Sequence, residues 1–182
     1  MSGHVCPWWG GYFIDNPLRR LIHPPRRILA PYVRSGGTVL DFGCGMGIFA
    51  IPMASLVGPT GRVIAVDLQP RMLEVLAKRA RRAGVAERIR LHRCEATSLE
   101  LLGPVDFVLA FYSAHEVPDV RRLWADLFAA LRSGGTLLWV EPIGHVTERR
   151  FAEMLAAAET TGFGVRERPR IRLSRALLLA KP

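Results

Sequence analysis

The chain has 182 residues, 49% hydrophobic and 23% charged, a composition that fits one globular domain with a real core rather than a disordered protein. Its net charge of +9 is carried by arginines scattered in pairs such as Arg19-Arg20, Arg81-Arg82 and Arg149-Arg150, which weakens a nucleic-acid footprint; Lys78 and Lys181 are the only lysines. Three cysteines, Cys6, Cys44 and Cys94, form no disulfide framework, so a reducing cytoplasm is expected.

The first segment is rich in aromatics, Trp8-Trp9-Gly10-Gly11-Tyr12-Phe13, and no signal peptide is expected there. Asn16 and Pro17 then open a short helix that Pro24-Pro25 stops, and residues 26–33 supply another turn or two. Strand one is predicted over 38–41. A helix over 47–57 follows, with Pro52 near its start requiring a bent first turn. Residues 42–61 carry no charge, but glycines and prolines interrupt them, a poor fit to a membrane span. Strand two is Arg62–Asp67. Pro70 opens a helix with Met72, Leu73, Val75, Leu76, Ala80 and Ala83 on one face, and Gly84 closes it. Strands three and four are predicted over 89–94 and 105–111. Asp119 caps a helix with Val120, Leu123, Trp124, Leu127, Phe128 and Leu131 inward, and Ser133-Gly134-Gly135 turns into strand five, 136–141. A helix over 147–161 ends at Gly162, and extended pieces at 165–168 and 176–180 are joined too closely for anything but antiparallel pairing.

The informative stretch is Val39-Leu40-Asp41-Phe42-Gly43-Cys44-Gly45-Met46-Gly47, with Val63-Ile64-Ala65-Val66-Asp67 after it. A strand, a glycine turn and a second strand ending on a carboxylate build a site for an adenosine-containing cofactor. Gly45-Met46-Gly47-Ile48-Phe49-Ala50 satisfies a relaxed dinucleotide pattern, with Asp67 about twenty residues beyond Gly47 as a nicotinamide site requires. Asp41 points elsewhere. A carboxylate beside a doubly anionic pyrophosphate is unfavourable, whereas the ammonium of S-adenosylmethionine attracts one. Glu95-Ala96 after strand three offers an acceptor for an adenine amino group, and the terminal hairpin fits the same choice.

These residues together resemble the class I S-adenosylmethionine-dependent methyltransferases, from about Gly36 to the end of the chain. Leu40–Gly47 resembles the family's first motif, Val66-Asp67 its second acidic position and Cys94-Glu95-Ala96 its adenine motif, where Asp is commoner than Glu. Leu131-Arg132-Ser133-Gly134-Gly135-Thr136-Leu137 resembles the approach to strand five. The resemblance implies an α/β fold: a single doubly wound, Rossmann-like seven-stranded sheet, mostly parallel with a C-terminal antiparallel hairpin, and helices on both faces. It divides the chain into a cap or lid over 1–35 and a cofactor domain over 36–182. S-adenosylmethionine is the implied cofactor. Asp67 would take the ribose hydroxyls, Leu68 and Met72 would pack on adenine, and Gly43, Cys44, Gly45 and Gly47 would form the turn beside methionine and ribose. Ala110 and Phe111 would lie nearby.

For the acceptor, Tyr112-Ser113-Ala114-His115-Glu116 leaves the carboxyl end of strand four, where ligands of open α/β sheets bind. His115 is the candidate base, with Glu116 beside it and Glu141 at the end of strand five on the same rim. Tyr12 is a further candidate, its hydroxyl directed at the cofactor carboxylate. No metal is expected, since His4 and Cys6 lack spaced partners. The expected function is methyl transfer to a small apolar or aromatic molecule, similar to the quinone-biosynthesis C-methyltransferases, without a membrane as partner. The alternatives are an RNA methyltransferase, a nicotinamide oxidoreductase and a non-catalytic cofactor-binding module. Ala110-Phe111-Tyr112-Ser113 lacks the Asn/Asp-Pro-Pro-aromatic pattern of exocyclic-amine methylases.

Overall fold

The computed structural model of the chain describes residues 17–94 and 103–182. The aromatic segment with Tyr12, and the pair Glu95-Ala96, lie outside the described residues. The sheet is seven-stranded and mixed, in the order β3-β2-β1-β4-β5-β7-β6. Among the described residues two compact units are recognised, one up to Cys94 and one from Gly103 onward.

The first unit contains α1 (Pro17–Ile22), α2 (Pro25–Leu29), β1 (Thr38–Phe42), α3 (Ala50–Leu56), β2 (Arg62–Asp67), α4 (Pro70–Arg82) and β3 (Ile89–Arg93). β1 pairs in parallel with β2 from Thr38↔Arg62 to Phe42↔Val66, and β2 pairs in parallel with β3 from Val63↔Ile89 to Asp67↔Arg93. Val39, Leu40, Val63, Ile64, Ala65 and Val66 are all buried, the unbroken apolar run of strands covered on both faces. α4 buries Met72, Leu73, Leu76 and Ala80 and leaves Arg71, Lys78, Arg81 and Arg82 exposed.

The helix after the glycine turn begins at Ala50 rather than 47, because Gly47 has φ +89° and cannot continue a right-handed helix. Pro52 therefore falls in the first turn of α3, where no intrahelical N–H bond is required. The bend anticipated from the sequence is unnecessary.

The second unit contains β4 (Val105–Phe111), α5 (Val120–Ala130), β5 (Leu131–Pro142), α6 (Glu148–Thr161), β6 (Gly164–Glu167) and β7 (Ser174–Ala180). β4 and β5 are parallel; β7 is antiparallel to both β5 and β6. Asp119 caps α5 by accepting from the N–H of Arg122, and Thr147 caps α6 by accepting from that of Arg150. β5 starts five residues earlier than predicted. Leu131 is extended (φ −73°, ψ 137°) and pairs with Val105, and the register then slips before Phe107↔Thr136. The Ser-Gly-Gly stretch is thus an irregularity within a strand, and Leu131 belongs to the sheet.

An aromatic cluster anchors the middle of β5. Trp139 stacks on Phe151 with ring centroids 4.2 Å apart and meets Trp124 edge-on at 5.1 Å. The Nε1–H of Trp124 donates to the carbonyl of Met154 at 3.0 Å.

Candidate functional site

In the first unit, β1 delivers the chain into a turn whose amides are tied to the end of β2. The N–H groups of Gly43 and Cys44 both donate to the carbonyl of Val66 at 2.9 Å. The N–H of Gly45 donates to Oδ2 of Asp67 at 2.9 Å, and that of Gln69 donates to Oδ1 at 2.9 Å. Burial pushes the Asp67 carboxyl upward, opposed by the N–H groups of Gln69, Gly45 and Leu68. Asp67 therefore braces the glycine turn as well as ending β2. Arg79 on α4 adds a second brace, donating to the carbonyl of Met46 at 3.2 Å.

Two glycines do different work here. Among the described residues a Cβ at Gly45 (φ +51°) would meet nothing within 4 Å, so the space in front of the turn is open there. At Gly47 a Cβ would lie 2.2 Å from Cδ1 of Leu76, so α4 packs directly on the backbone. The first leaves room for a ligand and the second lets a helix approach.

Asp41 is 2% exposed, and among the described residues its Oδ2 has no hydrogen-bond partner. Burial, and after it the charge of Asp67, raise its carboxyl to about 7. The N–H of Ala50 and the positive charge of Arg19 on α1 pull the other way. A buried carboxylate oxygen without a donor is costly, and a cation delivered there would repay it. Cys44 is buried, its thiol pushed well above the ordinary range by burial and then by Asp41 and Asp67, while Cys94 is raised to about 11 by burial and Asp67. Neither is a nucleophile. Met72 is buried on α4 and Leu68 is half-buried just past Asp67.

In the second unit β4 ends in buried Ala110 and Phe111, followed by Tyr112 in a left-handed conformation (φ 61°). Tyr112 is held by its N–H donating to the carbonyl of Val140 and by its hydroxyl 2.7 Å from that of Ser174. A short 3-10 turn, Ala114–Glu116, then presents His115. Its Nδ1 lies 2.5 Å from Oε2 of Glu141, whose other oxygen accepts from Nε1–H of Trp139 at 2.8 Å. Glu141 is fully buried. Burial pushes His115 towards neutrality, but its hydrogen bond to Glu141 and the charges of Glu141 and Glu116 outweigh this, and its pKa is raised above 6.5. His145 meets the His115 ring edge-on at 4.9 Å. Among the described residues no group of three or more His, Cys, Asp or Glu is disposed to hold a metal, and no helix is long and apolar enough to cross a membrane.

The profile of a family described as a methyltransferase domain matches residues 39–135, which hold the glycine turn, Asp41, Asp67 and His115. The chain belongs to the class I S-adenosylmethionine-dependent methyltransferases. The methyltransferase is 35% identical over 144 residues to a ribosomal protein L11 methyltransferase of Pelotomaculum thermopropionicum, covering 78% of this chain and 43% of that protein. It is also 35% identical over 135 residues to a ubiquinone biosynthesis O-methyltransferase of Methylocella silvestris, covering 74% of this chain and 50% of that one. The chain thus spans about half the length of these curated relatives. In fold it is similar to a crystal structure of a SAM-dependent methyltransferase from Aquifex aeolicus, with a TM-score of 0.84, 19% identity, and coverage of 94% of this chain and 97% of that one. The mostly parallel seven-stranded sheet with its terminal hairpin is the architecture expected from the sequence.

S-adenosylmethionine is the cofactor, and the orphaned Oδ2 of Asp41 fits its ammonium while the open face of Gly45 fits close approach of a ligand. The first unit gathers Asp41, Gly43, Cys44, Gly45, Gly47, Asp67, Leu68 and Met72 around the ends of β1 and β2. The second places Ala110, Phe111, His115 and Glu116 at and beyond the end of β4. Three features were missed by sequence reasoning: the charge of Arg19 acting on Asp41, the Arg79 brace, and Trp139 as the fixer of Glu141. No local motif marks any of them.

Proposed function

We propose that this methyltransferase transfers the cofactor's methyl group to a small apolar or aromatic molecule bearing a weakly acidic O–H or C–H. When bound, S-adenosylmethionine supplies an electrophilic methyl on a sulfonium. Asp41 receives its ammonium, Asp67 accepts from its ribose hydroxyls through the lone pairs its backbone donors leave, and Arg19 is the cation for its carboxylate. Leu68 and Met72 flank the adenine, and Glu95-Ala96 bind its edge. Residues 1–35 act as a lid, with Tyr12 directed to the cofactor carboxylate.

The observation that carries the acceptor side is the bond between His115 and buried Glu141. A carboxylate at Nδ1 holds that nitrogen as the donor and leaves Nε2 to accept a proton. The raised basicity of His115 suits removal of a proton from a phenol-like group. Nε2 of His115 would take the acceptor's proton, and the bound cofactor would supply the methyl group. Alignment of nucleophile, carbon and sulfur supplies the larger share, roughly 7–11 kcal/mol in well-oriented reactions.

One relative's name points to a ribosomal protein and the other's to ubiquinone synthesis, so acceptor class is tested directly. Labelled S-adenosylmethionine is incubated with the protein and a set of hydroquinones and catechols, a lysine-rich peptide, or RNA. Label on the phenolic molecules, lost in His115→Asn, supports the proposal; label confined to peptide or RNA overturns it.

A further inference from the structure

The proposed reaction leaves one feature of the second unit unused. Residues 165–175 read Val-Arg-Glu-Arg-Pro-Arg-Ile-Arg-Leu-Ser-Arg, five arginines against the single carboxylate of Glu167. Arg166, Arg168, Arg170 and Arg172 are exposed along β6 and the loop that joins it to β7. Among the described residues no ion pair to a carboxylate engages Arg166, Arg168 or Arg170.

At the end of the same loop two aliphatic side chains face water. Leu173 is 61% exposed and Ile143, just past β5, is 51% exposed. They are neighbours: the N–H of Ile143 donates to the carbonyl of Leu173 at 3.1 Å, extending the β5–β7 ladder by one rung beyond Pro142↔Ser174. Leu173 also holds φ 56°, a left-handed conformation unfavourable for leucine. A strained backbone that lifts an apolar side chain into solvent is a cost without return in water. The pair lies next to the acceptor machinery, two residues beyond Glu141 and one before Ser174, which contacts Tyr112.

We propose that the β6–β7 loop with Ile143 and Leu173 docks this methyltransferase onto an anionic lipid surface. Arginines drawn to acidic headgroups, with adjacent aliphatic side chains entering the acyl boundary, are the chemistry of peripheral membrane attachment. Nucleic acid is the less fitting partner, because single-stranded recognition relies on exposed aromatic platforms and this patch offers only Ile and Leu. The sequence reading searched for a spanning segment and so excluded a membrane; docking needs no such segment. Attachment here holds the His115 rim against the phase in which an apolar acceptor concentrates. That consequence rests on the acceptor reading above, whereas the docking itself does not.

The test is co-sedimentation of the full chain with vesicles of phosphatidylglycerol and phosphatidylcholine, against vesicles of phosphatidylcholine alone, at low and high salt. Binding is expected only to the anionic vesicles and is expected to fall steeply with salt. Each arginine near such a surface contributes about fivefold, so Arg168→Glu with Arg170→Glu should weaken binding more than twentyfold. Ile143→Ser with Leu173→Asn should weaken it severalfold without removing the salt dependence, Asn tolerating the left-handed backbone. Circular dichroism of each variant separates lost docking from lost fold. Equal binding to neutral vesicles, no binding to either, or an affinity for single-stranded RNA that exceeds vesicle binding and ignores Ile143 and Leu173, overturns the proposal. Vesicle binding by a protein that fails to methylate phenolic acceptors would sink the acceptor reading and leave this one standing.

Discussion

Nδ1 of His115 lies 2.5 Å from Oε2 of Glu141, a carboxylate with no exposed surface whose second oxygen is held by the indole of Trp139. The stacked rings of Trp139 and Phe151 fix that indole, so the orientation of His115 is traceable to the aromatic core under β5. His115→Asn and Glu141→Gln are each expected to lower kcat by ~10²–10⁴, the range of general-base removal, with KM for the cofactor little changed. Steady-state kinetics on a phenolic acceptor checks this. A larger effect on the cofactor KM than on kcat would assign the pair to binding.

The pH profile gives an independent reading of the same pair. The base form of His115 is the active one and its pKa is raised, so the rate should climb with pH through a midpoint above 6.5. Glu141→Gln removes the attraction and leaves burial, which opposes the charged form, so the midpoint of the residual activity should move to lower pH. The charge on His115 also contributes stability that is present below the unfolded pKa and lost as pH rises through the raised folded value.

Asp41 opposes function to stability. Its folded carboxyl titrates at about 7 against 3.8 for the free group, so its contribution is favourable below pH 3.8 and is lost as pH rises through 7. Ionisation of so buried a group costs on the order of 4 kcal/mol. Asp41→Asn should therefore raise the melting temperature of the cofactor-free protein at pH 8, do little at pH 4, and weaken S-adenosylhomocysteine binding at least tenfold. Thermal unfolding at the two pH values and a binding titration measure all three.

Much of this site was legible in the sequence, for a physical reason. The order strand, carboxylate, glycine turn, helix, strand, carboxylate is local, and each residue's conformation follows from its neighbours. Asp41 and Asp67 were singled out that way. Glu141 was visible only as a carboxylate on a rim, because its bond to His115 spans 26 residues and depends on how β5 pairs with β4. Arg19 was hidden for the same reason, since nothing in Arg19-Arg20 announces a buried carboxylate to the N-terminal side of Phe42. The early start of β5 was missed because two adjacent glycines read as a turn, whereas pairing of Leu131 with Val105 holds them within a strand.

Gly45 and Gly47 should respond differently to alanine. In Gly47→Ala the new Cβ meets Leu76 and the φ of +89° is unfavourable, so a loss of ~2–4 kcal/mol of stability is expected. In Gly45→Ala the Cβ enters open space at φ +51°, costing only ~1–2 kcal/mol, while the ligand's approach is obstructed. Chemical denaturation and a cofactor titration on both variants check the contrast.

Asp67→Ala should weaken the cofactor at least tenfold, since charge-assisted bonds to its hydroxyls contribute roughly 1.5–3 kcal/mol each. It should also loosen the turn, because the N–H groups of Gly45 and Gln69 lose their acceptor. Faster amide exchange at those two positions would show it.

The most direct measurement is calorimetric titration of wild-type protein and Asp41→Asn with S-adenosylhomocysteine and with methylthioadenosine, which carries the same nucleoside and sulfur but no amino acid. The wild type is predicted to bind S-adenosylhomocysteine at least tenfold more tightly than the truncated molecule, and the variant to lose that preference. Equal affinities in the wild type, or a preference that survives in Asp41→Asn, would contradict the claim that this buried carboxylate receives the cofactor's amine.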